Sequence, residues 1–287
     1  MGPDFLIVGA MKCGTSTLAA QLAAQTGVFM TTPKEPNYFS DDDIYAKGPE
    51  WYASLFAPAS PGDLKGEAST HYTKMPTYPE TLDRLAAVLP SPKIIYVIRN
   101  PVARAVSHYI HEWTQGVMSG DIDDQFARHP ELVDYGRYAM QIRPFLDRFG
   151  SENVLLLTQE TMRSDPQGLL SEVADFLGRP GEFTWRDDLG DQNVSAAREK
   201  KLPLHSILVA NPVATALRRT LVPQGLRDWV KERRRMTDRP ELTETLREML
   251  ETNFTDDFAE LRALFPVRQD LTLTYPFVRD RTPESVE

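Results

Sequence analysis

The chain has 287 residues, 32 Lys+Arg against 41 Asp+Glu, a formal charge of −9 and a pI near 5.2. Charged residues make up 25% and the apolar set 41%. This is a globular composition that excludes disorder, collagen and coiled coil, and the acidic balance argues against a protein that coats nucleic acid or anionic lipid. One cysteine, Cys13, excludes an intramolecular disulfide and a Cys-rich zinc site, and it suits a reducing compartment.

Met1-Gly2-Pro3-Asp4 passes directly into Phe5-Leu6-Ile7-Val8, with no basic n-region and too short an apolar run for a signal peptide. Pro3 after Gly2 argues against myristoylation. No apolar stretch approaches the roughly 20 residues that cross a bilayer. A cytoplasmic protein without stable membrane insertion is expected.

Four short apolar runs read as buried parallel strands: Phe5–Val8, Val28–Met30, Lys93–Ile98 and Asn153–Leu157. Helical patterns fall between and after them. Thr15–Gln25 ends before Gly27, Val102–Trp113 follows Pro101, Tyr138–Phe149 ends at Gly150, and Ser164–Leu177 ends at Gly178. Glu241–Leu264 reads as two helical patterns broken around Asn253. Alternating strand and helix imply right-handed crossovers and an α/β fold: a P-loop-like parallel sheet flanked by helices on both faces. A single domain over residues 1–275 is expected, with residues 276–287 as a flexible tail. Two segments, Pro33–Pro92 and Thr184–Leu204, fit no element; long irregular segments in a compact domain are more often functional than idle.

The sharpest local signal is Gly9-Ala10-Met11-Lys12-Cys13-Gly14-Thr15-Ser16, between the first strand and the first helix. Its frame matches a phosphate loop, in which backbone N–H groups and a helix N-terminus cradle an anion. A nucleotide triphosphatase needs lysine directly after the second glycine; here that residue is Thr15, and the lysine is Lys12. Taken alone, the loop is either an anion cradle or a glycine-bearing turn with a solvated lysine. Cys13 has no histidine beside it in sequence and reads as a small residue inside the loop.

Lys-x-Gly-Thr-Ser-x-Leu after an N-terminal strand resembles the 5′-phosphosulfate loop of sulfotransferases that use 3′-phosphoadenylyl sulfate (PAPS). Arg99-Asn100-Pro101 after the strand Lys93–Ile98, with Ser107 eight residues beyond Arg99, is similar to the same family's 3′-phosphate motif. Lys34-Glu35-Pro36-Asn37-Tyr38-Phe39, Trp51-Tyr52, Gly66-Glu67-Ala68-Ser69 and Gly136-Arg137-Tyr138 have counterparts in its carbohydrate branch, the heparan sulfate-type enzymes and their bacterial relatives. The resemblance covers most of residues 4–205. Three positions depart from it: Asn37 stands where the branch often has His, Ala68 where a Lys frequently follows the second Glu, and Arg198-Glu199-Lys200-Lys201 lacks the glycine of the closing loop.

The resemblance implies PAPS as sulfuryl donor, no metal, and a carbohydrate or small-molecule hydroxyl as acceptor. It places Lys12, Cys13, Gly14, Thr15, Ser16 and Thr17 around the 5′-phosphosulfate and Arg99 and Ser107 on the 3′-phosphate. Arg198, Lys200 and Lys201 would close over the nucleotide. Glu35 is the candidate general base and His71 its rival, so Lys12, Glu35 and His71 form the expected catalytic set. Tyr38, Phe39, Trp51, Tyr52, Phe56 and Tyr72 line an acceptor cleft or belong to the core. The acidic net charge favours a neutral or weakly anionic acceptor: a sugar, a glycolipid or a secondary metabolite. A P-loop phosphotransferase and a non-catalytic nucleotide-binding protein are the competing classes.

Overall fold

Five strands run parallel in the order β2-β3-β1-β4-β5 in a computed structural model, which describes residues 2–189 and 240–281. They are β1 (Phe5–Gly9), β2 (Val28–Met30), β3 (Leu64–Ala68), β4 (Lys93–Ile98) and β5 (Val154–Thr158). Phe5 of β1 sits opposite Gly66 of β3 and Lys93 of β4. All five residues of β1 are buried, as a sheet covered on both faces requires. Helices α1 (Thr15–Ala23), α2 (Gly48–Ser54), α3 (Pro101–Gln115), α4 (Tyr138–Phe149), α5 (Gln159–Ser164), α6 (Pro166–Phe176) and α7 (Glu244–Leu264) flank this α/β sheet.

Four expected strands are present, with ends moved by a residue at most. The fifth, β3, lies inside the segment that fitted no element. Its Leu64-Lys65-Gly66-Glu67-Ala68 holds one large apolar residue, because the space over it is filled from next door: a Cβ on Gly66 would lie 2.2 Å from Cζ of Phe5. The expected helix Ser164–Leu177 is present as α6, two residues shorter at its start and one at its end, and an additional helix, α5, precedes it. The chain breaks at Asp165, whose carboxylate accepts the Gly168 N–H, and Pro166 starts the new helix. The expected break at Asn253 is also corrected. Helix α7 runs through it, because Leu246, Leu250, Phe254, Phe258 and Leu261 keep one buried stripe while Asn253 faces outward. Residues 276–281, where the tail was expected to begin, form a 3₁₀ segment with Phe277 buried.

Asp257 of α7 accepts the Ala139 and Met140 N–H groups at 3.0 and 3.3 Å. It thereby caps α4 with a carboxylate from another helix, and burial pushes its pKa up to about 6. Among the described residues no helix is long and apolar enough to cross a membrane.

Candidate active site

In an open α/β sheet, ligands bind beyond the carboxyl ends of the strands where the strand order reverses. Here that switch lies between β1 and β4. The Lys12 turn leaves β1 and Arg99 leaves β4, so the two expected anion grips converge. Arg99 Nη1 donates to the Lys12 carbonyl at 3.3 Å. Burial, and then the Arg99 guanidinium, hold the Lys12 ammonium below its ordinary pKa, while Glu112 and Glu35 pull it back up. Arg99 Nε is buried and has no hydrogen-bond partner among the described residues.

Two glycines make the loop possible. Gly14 caps α1 at φ 90°, a left-handed conformation costly for residues with a Cβ. A Cβ at Gly9 would lie 2.0 Å from Oγ1 of Thr73, so only glycine lets the Thr70–Thr73 turn pack on the end of β1. Helix α1 begins without a side-chain cap or an acidic residue in its first turn. The first N–H groups of such a helix lack intrahelical acceptors and favour an anion. Thr15 and Thr17 are buried and Ser16 half-buried there. Cys13 faces inward: its N–H donates to Ala10, its Sγ lies 3.5 Å from the Tyr138 hydroxyl, and burial pushes the thiol up to about 11.

On α3 the expected Ser107 lies on the same face as Ala103, one turn away. Arg104, His108 and Glu112 form a different stripe. Arg104 and His108 are buried, their side chains 3.5 Å apart, and His108 approaches Glu112 at 3.6 Å. Arg198, Lys200 and Lys201 lie outside the described residues.

The opposite wall carries Glu35. Its backbone has φ 60° and that of Asn37 φ 54°, strained values held by hydrogen bonds: the Glu35 N–H donates to Ala68, and the Asn37 N–H donates to Ser69 Oγ at 3.1 Å. Lys34 Nζ and Thr70 Oγ1 both donate to Glu35 Oε1, at 2.7 and 3.3 Å. Burial opposes the charge on Glu35, but Lys34, Lys74 and His71 outweigh it and hold the carboxyl below its ordinary range. His71 stacks on Tyr78 at 4.8 Å between centroids. Burial and then Lys74 lower its pKa to about 4, and its buried Nδ1 has no partner among the described residues. Lys12, Glu35, His71 and Arg99 are therefore neighbours.

Sequence reasoning missed two residues of this wall. Glu67, fully buried on β3, accepts hydrogen bonds from the hydroxyls of Tyr52, Ser69 (2.6 Å) and Tyr72 (2.7 Å). Lys74, nearly buried after the Thr70–Thr73 turn, has the Tyr135 ring 5.6 Å from its Nζ. The available signal was the missing lysine at Ala68, which leaves Lys74 as the next cation in sequence. The aromatic cluster resolves into core: Tyr38, Phe39, Tyr52, Phe56 and Tyr72 are buried, with Tyr38 stacked on Tyr52 at 4.4 Å. Trp51 is half-buried beneath Lys47. Among the described residues no three His, Cys, Asp or Glu are grouped to hold a metal ion.

A family profile for the sulfotransferase domain matches residues 2–256, and the chain belongs to this family. Human heparan sulfate glucosamine 3-O-sulfotransferase 6 is 32% identical over 188 residues, covering 61% of this chain and 52% of that protein. The chain thus spans about half the length of such relatives. A solved sulfotransferase from Alicyclobacillus acidocaldarius superposes with a TM-score of 0.66 at 25% identity, covering 92% of this chain and 96% of that one. Mouse sulfotransferase SULT7A1, solved with the bisphosphate PAP, shares the fold, with a TM-score of 0.52 at 16% identity over 98% of this chain and 89% of that one.

Proposed function

We propose that the chain transfers the sulfuryl group of PAPS to a hydroxyl of a sugar, glycolipid or secondary-metabolite acceptor. The observation that carries this reading is the junction of Arg99 with the Lys12 turn, facing the Glu35 carboxylate across the switch point. Family membership and the PAP held by a structural neighbour support it.

The residues present fit a doubly phosphorylated nucleotide. An uncapped helix start with three hydroxyl residues, Thr15, Ser16 and Thr17, suits the 5′ side. The unpartnered Arg99 Nε, with Ser107 on α3, suits the 3′-phosphate. When bound, PAPS supplies an activated sulfuryl group on a bridging oxygen. Lys12 stabilises the negative charge that grows at the leaving oxygen, as cationic groups do in the related loose transition states of phosphoryl transfer.

Glu35 takes the acceptor proton. Lys34 and Thr70 occupy its Oε1, which leaves Oε2 for an acceptor hydroxyl, and its lowered pKa keeps it ionised at neutral pH. His71, at about 4, is a neutral ring that orients the acceptor.

The test is transfer of labelled sulfate from PAPS onto acceptor extracts, together with the thermal shift given by PAP, since a ligand of the native state raises its stability. Lys12→Ala is expected to lower transfer about 10²–10³-fold with folding retained. Full activity in Lys12→Ala would indicate a non-catalytic nucleotide-binding protein. Full turnover in Glu35→Gln would move the base to His71.

A further inference from the structure

Beyond Glu35, on the wall built by the Thr70–Thr73 turn, one cation has no contacting carboxylate among the described residues. Lys74 is 9% exposed. Among the described residues its ammonium makes neither an ion pair nor a hydrogen bond; it sits over the Tyr135 ring. The charged and titratable groups facing it are Glu35 from the opposite loop, His71 from its own turn, Tyr135, and Arg104, His108 and Glu112 from α3. Burial dominates their sum and lowers the ammonium to about 8, against the pull of Glu35 and Glu112.

A largely buried ammonium whose neighbour is an aromatic ring rather than a contacting carboxylate is costly to keep. Neither nearby carboxylate forms an ion pair with it among the described residues: Glu35 Oε1 is bonded to Lys34 and Thr70, and Glu112 lies 3.6 Å from the His108 ring, so both act on Lys74 only through space. Two neutral polar atoms near Glu35 are also buried and unsatisfied: His71 Nδ1 and Asn37 Oδ1. Lys12 and Arg99 belong to the donor side. What remains is one unspent cation beside two unsatisfied neutral groups, which matches a ligand with a single negative charge and neighbouring hydroxyls.

We propose that Lys74 is the anion-binding residue of the acceptor site and takes a single carboxylate carried by the acceptor beside the hydroxyl that meets Glu35. This deepens the function proposed above and rests on its placement of the acceptor at Glu35. The acceptor class is then a hydroxylated carboxylic acid or an acidic sugar. A polyanion is disfavoured, because Glu35 and Glu112 flank Lys74 and the chain carries a charge of −9.

Two probes separate the outcomes: p-nitrophenyl β-D-glucuronide and p-nitrophenyl β-D-glucoside, which differ by a carboxylate against a hydroxymethyl group. Their dissociation constants are measured by calorimetry on the PAP-loaded protein. The wild type is expected to bind the glucuronide at least about 10-fold more tightly, and Lys74→Met to bind the two equally with an unchanged PAP thermal shift. Lys74→Gln, polar and of similar length, serves as the second variant and is expected to lose the same preference. Equal binding by the wild type overturns the site, and so does a preference that survives both substitutions. An equal loss of both probes in the variants also overturns it, by assigning Lys74 to the shape of the wall. Absence of a PAP shift in the wild type is a different result: it sinks the sulfotransferase reading and this site with it.

Discussion

Replacing Ser69 by alanine tests whether the Glu35 wall is held by the buried carboxylate behind it. Ser69 Oγ donates to Glu67 Oε1 at 2.6 Å and accepts the Asn37 N–H at 3.1 Å. The substitution removes a hydrogen bond to a charged group, about 1.5–3 kcal/mol, and leaves the Asn37 N–H unpaired at about 1–3 kcal/mol. Tyr52 and Tyr72 still donate to Glu67, so the carboxylate is not stranded, and a net loss of about 3 kcal/mol is expected. Asn37 and Glu35 both hold left-handed backbone conformations. Freed of this anchor, the loop relaxes and Glu35 loses its aim. Turnover should therefore fall about 10-fold, because small misplacements of a catalytic group are expensive, while the PAP thermal shift stays constant. Urea unfolding gives the stability and initial rates give the turnover. A variant within about 0.5 kcal/mol of the wild type with unchanged turnover would refute the anchoring role.

Two further outcomes are expected. Asp257 has its folded-state pKa raised from 3.8 to about 6, so the stability its proton supplies is complete below 3.8 and is lost as the pH rises through 6. Unfolding free energies should show the wild type losing roughly 3 kcal/mol relative to Asp257→Asn between pH 4 and pH 7; parallel curves would contradict it. Cys13, fully buried with a thiol near 11, should resist iodoacetamide at pH 7.5 in the native protein and react once urea unfolds it. Rapid native alkylation, read by mass spectrometry, would show an open loop.

The order of elements was legible wherever a hydrophobic period or a capping residue wrote it. Strands β1, β4 and β5 are apolar runs, and Asn100-Pro101 starts α3 with a side-chain cap on the Ala103 N–H and a helix-ready proline. The convergence of Lys12 and Arg99 followed from each residue closing a strand. Legibility failed where burial is polar. In β3 Gly66 exists to admit Phe5, and Glu67 is sheathed by three hydroxyls from residues up to 15 positions away in sequence. No local pattern encodes either, because both depend on neighbours that the fold supplies. Lys74 was hidden for the same reason: only the assembled wall shows its ammonium largely buried over the Tyr135 ring, with no carboxylate in contact among the described residues.

Gly9 and Thr73 meet so closely that no methyl group fits between them. The floor beneath the Lys12 turn and the turn leading to Lys74 therefore share one seam. A side chain at position 9 would force the two turns apart, so their relative placement rests on a single missing carbon.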